Sequence, residues 1–342
     1  MKFFRRIFAF AVLALAAGAA WFWWTLALPF QAFPREGIFV DVPRGASVRQ
    51  IAGLLAEKGV VRSKITFEAL SRWRGQPLQA GEYFFERPRT GEEVRRMLAE
   101  GRIFTQPLAV PEGLTIQEIA AQVEKAGLTS RQDFLEAARD PSLIRDLAPH
   151  ARSLEGFLFP ATYQFPRRVA GRDIVTAMVR RFREVWASLP EREHLPRGFS
   201  IEQAVTLASL VERETGVADE RPLVAGVFYN RLRIGMALEC DPTVIYALEL
   251  AGRYTGALSR RDLLLNSPYN TYRHRGLPPG PIGNPGAAAL RAVLAPAQTD
   301  YLYFVAAAQG GHLFSRTLRE HNANVSRYRR MQAEAARSRS GQ

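Results

Sequence analysis

Two acids two residues apart, Glu212 and Glu214, stand in the last turn of a stretch, Ile201 to Glu214, whose apolar residues recur with helical spacing. A carboxyl group held there against apolar side chains is what acid-catalysed cleavage of a glycosidic bond needs, because dehydration keeps the proton on near neutral pH. On a helical wheel begun at Ile201 the two acids flank opposite edges of the apolar stripe, so periodicity alone does not choose between them. Their neighbours favour Glu214, which lies one turn from Leu210 and Val211 and two from Leu207. Glu212 neighbours Val205, Ala208 and Ser209, a smaller and more polar set. The plainer alternative is that both acids solubilise a helix end, and Glu212 suits that role better, paired with a nearby arginine.

Several local signals build the elements around this pair. Ser200 with Gln203 forms a capping box that starts the helix, and Gly216 stops it. Ala218 to Ile234 reads as a second helix halted at Gly235, and Asp241 before Pro242 reads as the N-cap of a third that runs to Leu250. The Pro/Gly-dense segment from Ser267 to Pro285 has the polar and aromatic make-up of a cleft-lining loop. Tyr301 to Ala307 and His312 to Ser315, joined through Gln309-Gly310-Gly311, read as a β-hairpin, and a basic helix follows. The predicted class is α+β.

Other chemistries lack their signatures. His274, His312 and His321 make no metal-ligand pattern, and there is no H-E-x-x-H, C-x-x-C, G-x-S-x-G, Walker loop or dinucleotide fingerprint. The expectation is an enzyme with no cofactor and no metal. Cys240, the single cysteine, has no Cys/His partner motif and reads as a buried or cleft-lining thiol, not a nucleophile.

The 342 residues carry a formal charge of +13, almost wholly from arginine, since Lys2, Lys58, Lys64 and Lys125 are the only lysines. No nucleic-acid-binding motif accompanies that charge, so no nucleic-acid partner is expected; a basic surface facing an anionic membrane or wall polymer fits better. Ile7 to Pro29 is an uncharged apolar run close to the roughly 20 residues that span a bilayer. Lys2, Arg5 and Arg6 precede it and Trp21, Trp23 and Trp24 stand at its far end, which predicts a cytoplasmic N-terminus and everything after Pro29 outside. A cleaved signal peptide is the competing reading; the length of the run favours an uncleaved anchor.

An internal repeat lies beyond the apolar run. Val42 to Ala52 aligns with Val110 to Ala120, and Gly59 and Gly127 close the two units at equal spacing. Each predicts a strand, a Pro/Gly turn and a helix capped by Ser47 with Gln50 or by Thr115 with Glu118. The pattern is similar to the LysM module, which binds glycans containing N-acetylglucosamine; modules that only pack are the alternative.

The stretch Leu207 to Tyr246, the block Glu155-Gly156-Phe157-Leu158-Phe159-Pro160 with Thr162-Tyr163, Ser267 to Tyr272, Gly276 to Ile282, Tyr301 to Val305, Gly311-His312 and His321-Asn322 occur in an order that resembles the endolytic murein transglycosylases of the YceG-like family. Ala161 departs from that family's acidic residue before Thr-Tyr, so the Glu155 to Tyr163 block is assigned no catalytic acid. The resemblance implies a lyase in which one carboxyl, matched by Glu214 as the second acid of the Glu-x-Glu pair, protonates the glycosidic oxygen. The same group then takes the proton of the muramoyl C6 hydroxyl as a 1,6-anhydro ring closes.

Asn230, Asp241, Tyr246, Tyr269, Asn270 and Tyr272 match positions the resemblance implies near the sugar. For Asn230 a core amide remains as good a reading, for Asp241 a helix N-cap, and for the tyrosines core packing. The implied partners are peptidoglycan strands and membrane-bound peptidoglycan synthases, and the implied site is the periplasmic face of the inner membrane. The expected division is a cytoplasmic tail at 1–6, an anchor at 7–29, a linker at 30–37, LysM-like modules at 38–108 and 109–155, a catalytic domain at 156–336 and a polar tail at 337–342. A non-catalytic glycan-binding scaffold and a water-using muramidase are the alternatives.

Overall fold

The computed structural model describes residues 2–196, 198–307 and 310–340. The chain forms two compact units that divide between Gln106 and Pro107.

In the first unit, α1 (Lys2–Ala27) is long and apolar enough to cross a membrane. It leads into β1 (Ile38–Val42), α2 (Val48–Glu57), α3 (Lys64–Arg74), β2 (Gly81–Phe85) and α4 (Gly91–Ala99). β1 and β2 pair antiparallel with Val40 opposite Tyr83. Alternation buries Val40, Val42, Tyr83 and Phe85 on one face against Ile51 and Leu55 of α2 and Phe67 of α3. The capping box at Ser47 is present as predicted, and Thr90 with Glu93 makes another at α4.

β3 (Gln106–Ala109) straddles the division between the units and leads into α5 (Ile116–Lys125), α6 (Arg131–Arg139) and β4 (Thr162–Phe165) of the second unit, with β3 and β4 hydrogen-bonded to each other. The sequence repeat therefore underlies two β-α-α-β arrangements, of which the repeat itself marks only the first strand and helix. Residues 109–155 do not stand apart from the rest of this unit. Ile116, Ile119 and Val123 of α5 share one hydrophobic core with Val205, Leu207 and Val211.

The remaining elements are α7 (Gly171–Ser188), α8 (Ile201–Glu214), α9 (Arg221–Arg233), α10 (Asp241–Leu250), α11 (Ala287–Leu294), the hairpin of β5 (Tyr303–Ala306) and β6 (His312–Ser315), and α12 (Leu318–Ser340). In α8 every residue from Ala204 to Val211 is buried, because α9, α10 and α11 pack around it. Three sequence boundaries shift. The helix expected from Ala218 opens as a 3-10 turn over Ala218–Glu220 before α9 starts with Pro222 in its first turn. Asp241 is not an N-cap: Cys240 holds that position without a side-chain bond, and Asp241 is the first helical residue. The tail expected from Arg337 continues α12 to Ser340.

Candidate active site

Three consecutive charged residues end α8, and because successive helical side chains turn by about 100° they reach three different places. Glu212 points into the protein with a side chain only 5% exposed, accepts from Arg221 Nη2 at 2.9 Å, and takes the N–H of Gly286, which precedes α11, at 2.9 Å. It is a buried structural ion, which corrects the solubilising role while keeping the arginine partner. Arg213 turns its Nη1 toward the carbonyls of Gly113 and Ile282, at 3.4 and 3.5 Å. Glu214 faces a cavity of about 520 Å³.

That cavity is assembled from elements far apart in sequence. Arg231 of α9, Leu238 and Glu239 of the next loop, Asp241 of α10 and Tyr272 make one part of its wall, and Tyr303 to Ala306, His312, Leu318, His321 and Asn322 make the other. Arg231 holds the two parts together: its buried guanidinium donates Nε to the Leu302 carbonyl at 2.6 Å and Nη1 to the Leu238 carbonyl at 2.7 Å. Burial pulls its pKa below the ordinary arginine range. Glu239, 3.7 Å from Arg231, has φ +49°, a left-handed conformation uncommon for a residue with a side chain, at the cavity rim.

Glu214 is half-buried, and burial raises its pKa from 4.5 to about 7. A hydrogen bond from the Cys240 thiol opposes the rise, the Asp241 charge adds to it, and His312 and Arg231 pull it down. Its place at the C-terminal end of α8, the negative pole of the helix, disfavours the carboxylate in the same sense. The Asp241 carboxylate accepts the Tyr272 hydroxyl at 2.5 Å, so these two cavity groups act as one hydrogen-bonded pair. Burial and then Asp241 push the Tyr272 phenol upward, which keeps its proton in place.

Cys240 is buried, and burial followed by the nearby Glu214 charge pushes its thiol well above the usual range. A thiol held protonated beside a carboxyl donates a hydrogen bond and is a poor nucleophile. His312 is fixed twice by Glu220, which accepts its backbone N–H at 2.7 Å and lies 2.7 Å from its Nδ1.

Among the residues singled out from sequence, Glu214, Asp241 and Tyr272 meet at this cavity. Asn230, Tyr246, Tyr269 and Asn270 lie outside its lining. Asn230 donates its amide to the carbonyls of Thr299 and Tyr301, at 2.7 and 3.0 Å, tying α9 to the approach to β5. Asn270 is fully buried and clamps its own loop through the Leu263 and Leu265 carbonyls. Tyr246 packs against Tyr269 with ring centroids 5.0 Å apart and donates to Glu155 at 3.1 Å.

Glu155 shows why geometry must precede acidity. Burial lifts its pKa to about 8, above that of Glu214, against the pull of the Ile116 N–H and the Tyr246 hydroxyl. It also takes the Asn284 amide at 3.1 Å, and it does not line the cavity. An acid buried in the core with its oxygens taken by Ile116, Tyr246 and Asn284 reads as structural. Sequence reasoning missed the Glu220–His312 pair and Arg231; it predicted the hairpin but not that the hairpin forms part of the cavity wall.

The comparisons with known proteins agree with one another. The profile of the YceG-like family matches residues 40–327. A Bacillus subtilis protein named endolytic murein transglycosylase is 32% identical over 331 residues, covering 92% of this chain and 91% of its own. One of the same name from Streptococcus pneumoniae R6 is 28% identical, and this chain spans 60% of its length. A crystal structure of a YceG-like protein from Listeria monocytogenes superposes with a TM-score of 0.57 at 33% identity, covering 85% of this chain and 99% of that one. With a family profile over most of its length and a near full-length relative above 30% identity, the chain belongs to the YceG-like family.

Proposed function

We propose that this protein is an endolytic peptidoglycan lytic transglycosylase that cleaves the bond between N-acetylmuramic acid and N-acetylglucosamine without water. The observation that carries the reading is Glu214: an acid in the wall of a substrate-sized cavity whose burial leaves it about half protonated near pH 7. Such a group donates its proton to the glycosidic oxygen in the first half of the reaction. The carboxylate it becomes is a competent base for the C6 hydroxyl in the second. The Asp241–Tyr272 pair sits on the same cavity and offers polar contacts to the sugar. Names carried by the relatives support the substrate class.

In this reading α1 anchors the enzyme by one spanning helix with the N-terminus in the cytoplasm and the catalytic unit in the periplasm, facing newly exported strands. The two β-α-α-β arrangements are LysM-like glycan contacts, membrane-bound peptidoglycan synthases are neighbours on the same surface, and strand-length control is the outcome.

The test is product mass. Isolated sacculi treated with the protein release fragments ending in 1,6-anhydromuramic acid, and Glu214→Gln, which keeps shape and loses the acid, releases none while remaining folded. Fragments with reducing ends, one water heavier, would establish a muramidase instead. Binding without release would establish a scaffold.

A further inference from the structure

The foot of the first unit presents an unpartnered face whose position is set by α1. The last turn of α1 docks into the unit: Thr25 and Leu26 are buried, and Gly91 at the start of α4 lies so close to Leu26 that a Cβ there would come within 2.7 Å of it. Beside them, the Arg62 guanidinium lies 4.0 Å from the centre of the Trp24 ring and 4.6 Å from that of Phe30. Phe30 bridges in turn to Arg89, donating its N–H to the Arg89 carbonyl at 3.0 Å. The Nε atoms of both Arg62 and Arg89 are buried without a hydrogen-bond partner. The acid that acts on Arg89, Glu93, is committed to the Thr90 N–H at 2.7 Å.

Two residues after Arg62, α3 begins with the exposed Lys64. Its exposed residues Ile65, Ala69 and Trp73 recur every four positions, so they form one stripe along the helix. Ile65 and Trp73 are 63% and 76% exposed. An apolar stripe with a terminal tryptophan, beside a lysine and two arginines whose Nε atoms have no hydrogen-bond partner, is the composition of a helix that lies in a bilayer interface.

We propose that α3 and the Arg62–Arg89 pair dock on the bilayer surface beside the anchor. Ile65, Ala69 and Trp73 enter the headgroup–acyl boundary while Arg62, Lys64 and Arg89 take the phosphates of anionic phospholipids. The inference rests on the reading of α1 as a spanning anchor, because that reading places Trp24, and with it Arg62 and the start of α3, at headgroup depth. Seated this way, the first unit is held against the membrane in a fixed orientation and does not swing on a tether.

The test uses the full chain in nanodiscs, carrying an environment-sensitive fluorophore on Ala69→Cys or, separately, on Val12→Cys within α1. Native Cys240 is 1% exposed and escapes labelling. In discs containing phosphatidylglycerol, the label at 69 shifts to the blue and loses most of its intensity to lipids bearing a nitroxide near the headgroup. Ile65→Glu with Trp73→Glu, both at exposed positions, restores the intensity. Arg62→Gln with Arg89→Gln reduces the quenching in these discs. A label at 69 that stays unquenched while the label at 12 is quenched would overturn the docking and leave the anchor standing. A label at 12 untouched by bilayer-centre nitroxides would overturn the anchor and the docking together. Equal quenching at 69 in pure phosphatidylcholine would overturn the anionic-headgroup assignment.

Discussion

Replacing Asp241 by Asn tests whether the cavity tunes Glu214 in the way catalysis requires. A carboxyl at its ordinary value near 4.5 is protonated in about 0.3% of molecules at pH 7, and one raised to about 7 is protonated in about half, a gain on the order of 150-fold in competent acid. Burial is the main cause of the rise and the Asp241 charge a further one. The Asp241 carboxylate repels a carboxylate at Glu214 and so favours its protonated form. The Asp241→Asn change would therefore lower the Glu214 pKa, and with it the protonated fraction at pH 7. The amide oxygen still accepts from Tyr272, so the geometry is retained.

The assay is release of anhydro-ended fragments against pH under kcat/KM conditions. In the proposed reaction the first step needs protonated Glu214, so the parental profile is expected to fall as pH rises through about 7. Asp241→Asn shifts that alkaline limb to lower pH while leaving the acid-side plateau in place. A limb that does not move, or moves upward, would refute the assignment of Asp241 as the charge that helps keep Glu214 protonated. Loss of activity at every pH would show that the contact of Asp241 to the sugar outweighs its effect on Glu214.

Glu212→Gln removes the nearer of the two carboxylates paired with buried Arg221, leaving Glu112 at 3.7 Å, and weakens the contact to the Gly286 N–H. Urea denaturation should show a loss of about 2–4 kcal/mol, with anhydro-end formation per folded molecule largely kept; parental stability would contradict the structural role. Glu155 has a raised folded pKa, about 8 against about 4.5 when exposed, so the folded state holds a proton the unfolded state gives up between those values. Its contribution is complete below about pH 4.5 and is lost as pH rises through about 8, with a slope of at most ~1.4 kcal/mol per pH unit. Glu155→Gln should flatten that part of the stability–pH curve relative to the parent. An unchanged slope would show that Glu155 is already ionised at low pH.

The signals that sequence carries faithfully are local ones. The boxes at Ser47, Thr115 and Ser200 appear where spacing put them, because a cap joins a side chain to a backbone N–H three residues away and needs nothing else. The same holds for the hairpin, whose alternation and Gly-Gly link specify register without help from the rest of the chain. The choice between Glu212 and Glu214 was only half legible. Neighbours within α8 favoured Glu214, but what buries Glu212 is Arg221 and the Gly286 N–H, and neither lies on that helix.

Sequence by itself determined the α+β class, the apolar N-terminal helix, the repeat and the acid pair, since each is carried by patterns of residue type along the chain and needs no knowledge of packing. Tertiary structure decided which residues share a cavity. Asp241 and Tyr272 are 31 residues apart and joined by one hydrogen bond. Asn230 and Asn270, which the family resemblance placed near the sugar, spend their amides on backbone carbonyls. An unpaired amide inside a protein is costly, so whichever carbonyls the fold brings within reach claim it first. Pattern along the chain does not record those carbonyls, and the packing of α9, α10 and the hairpin does.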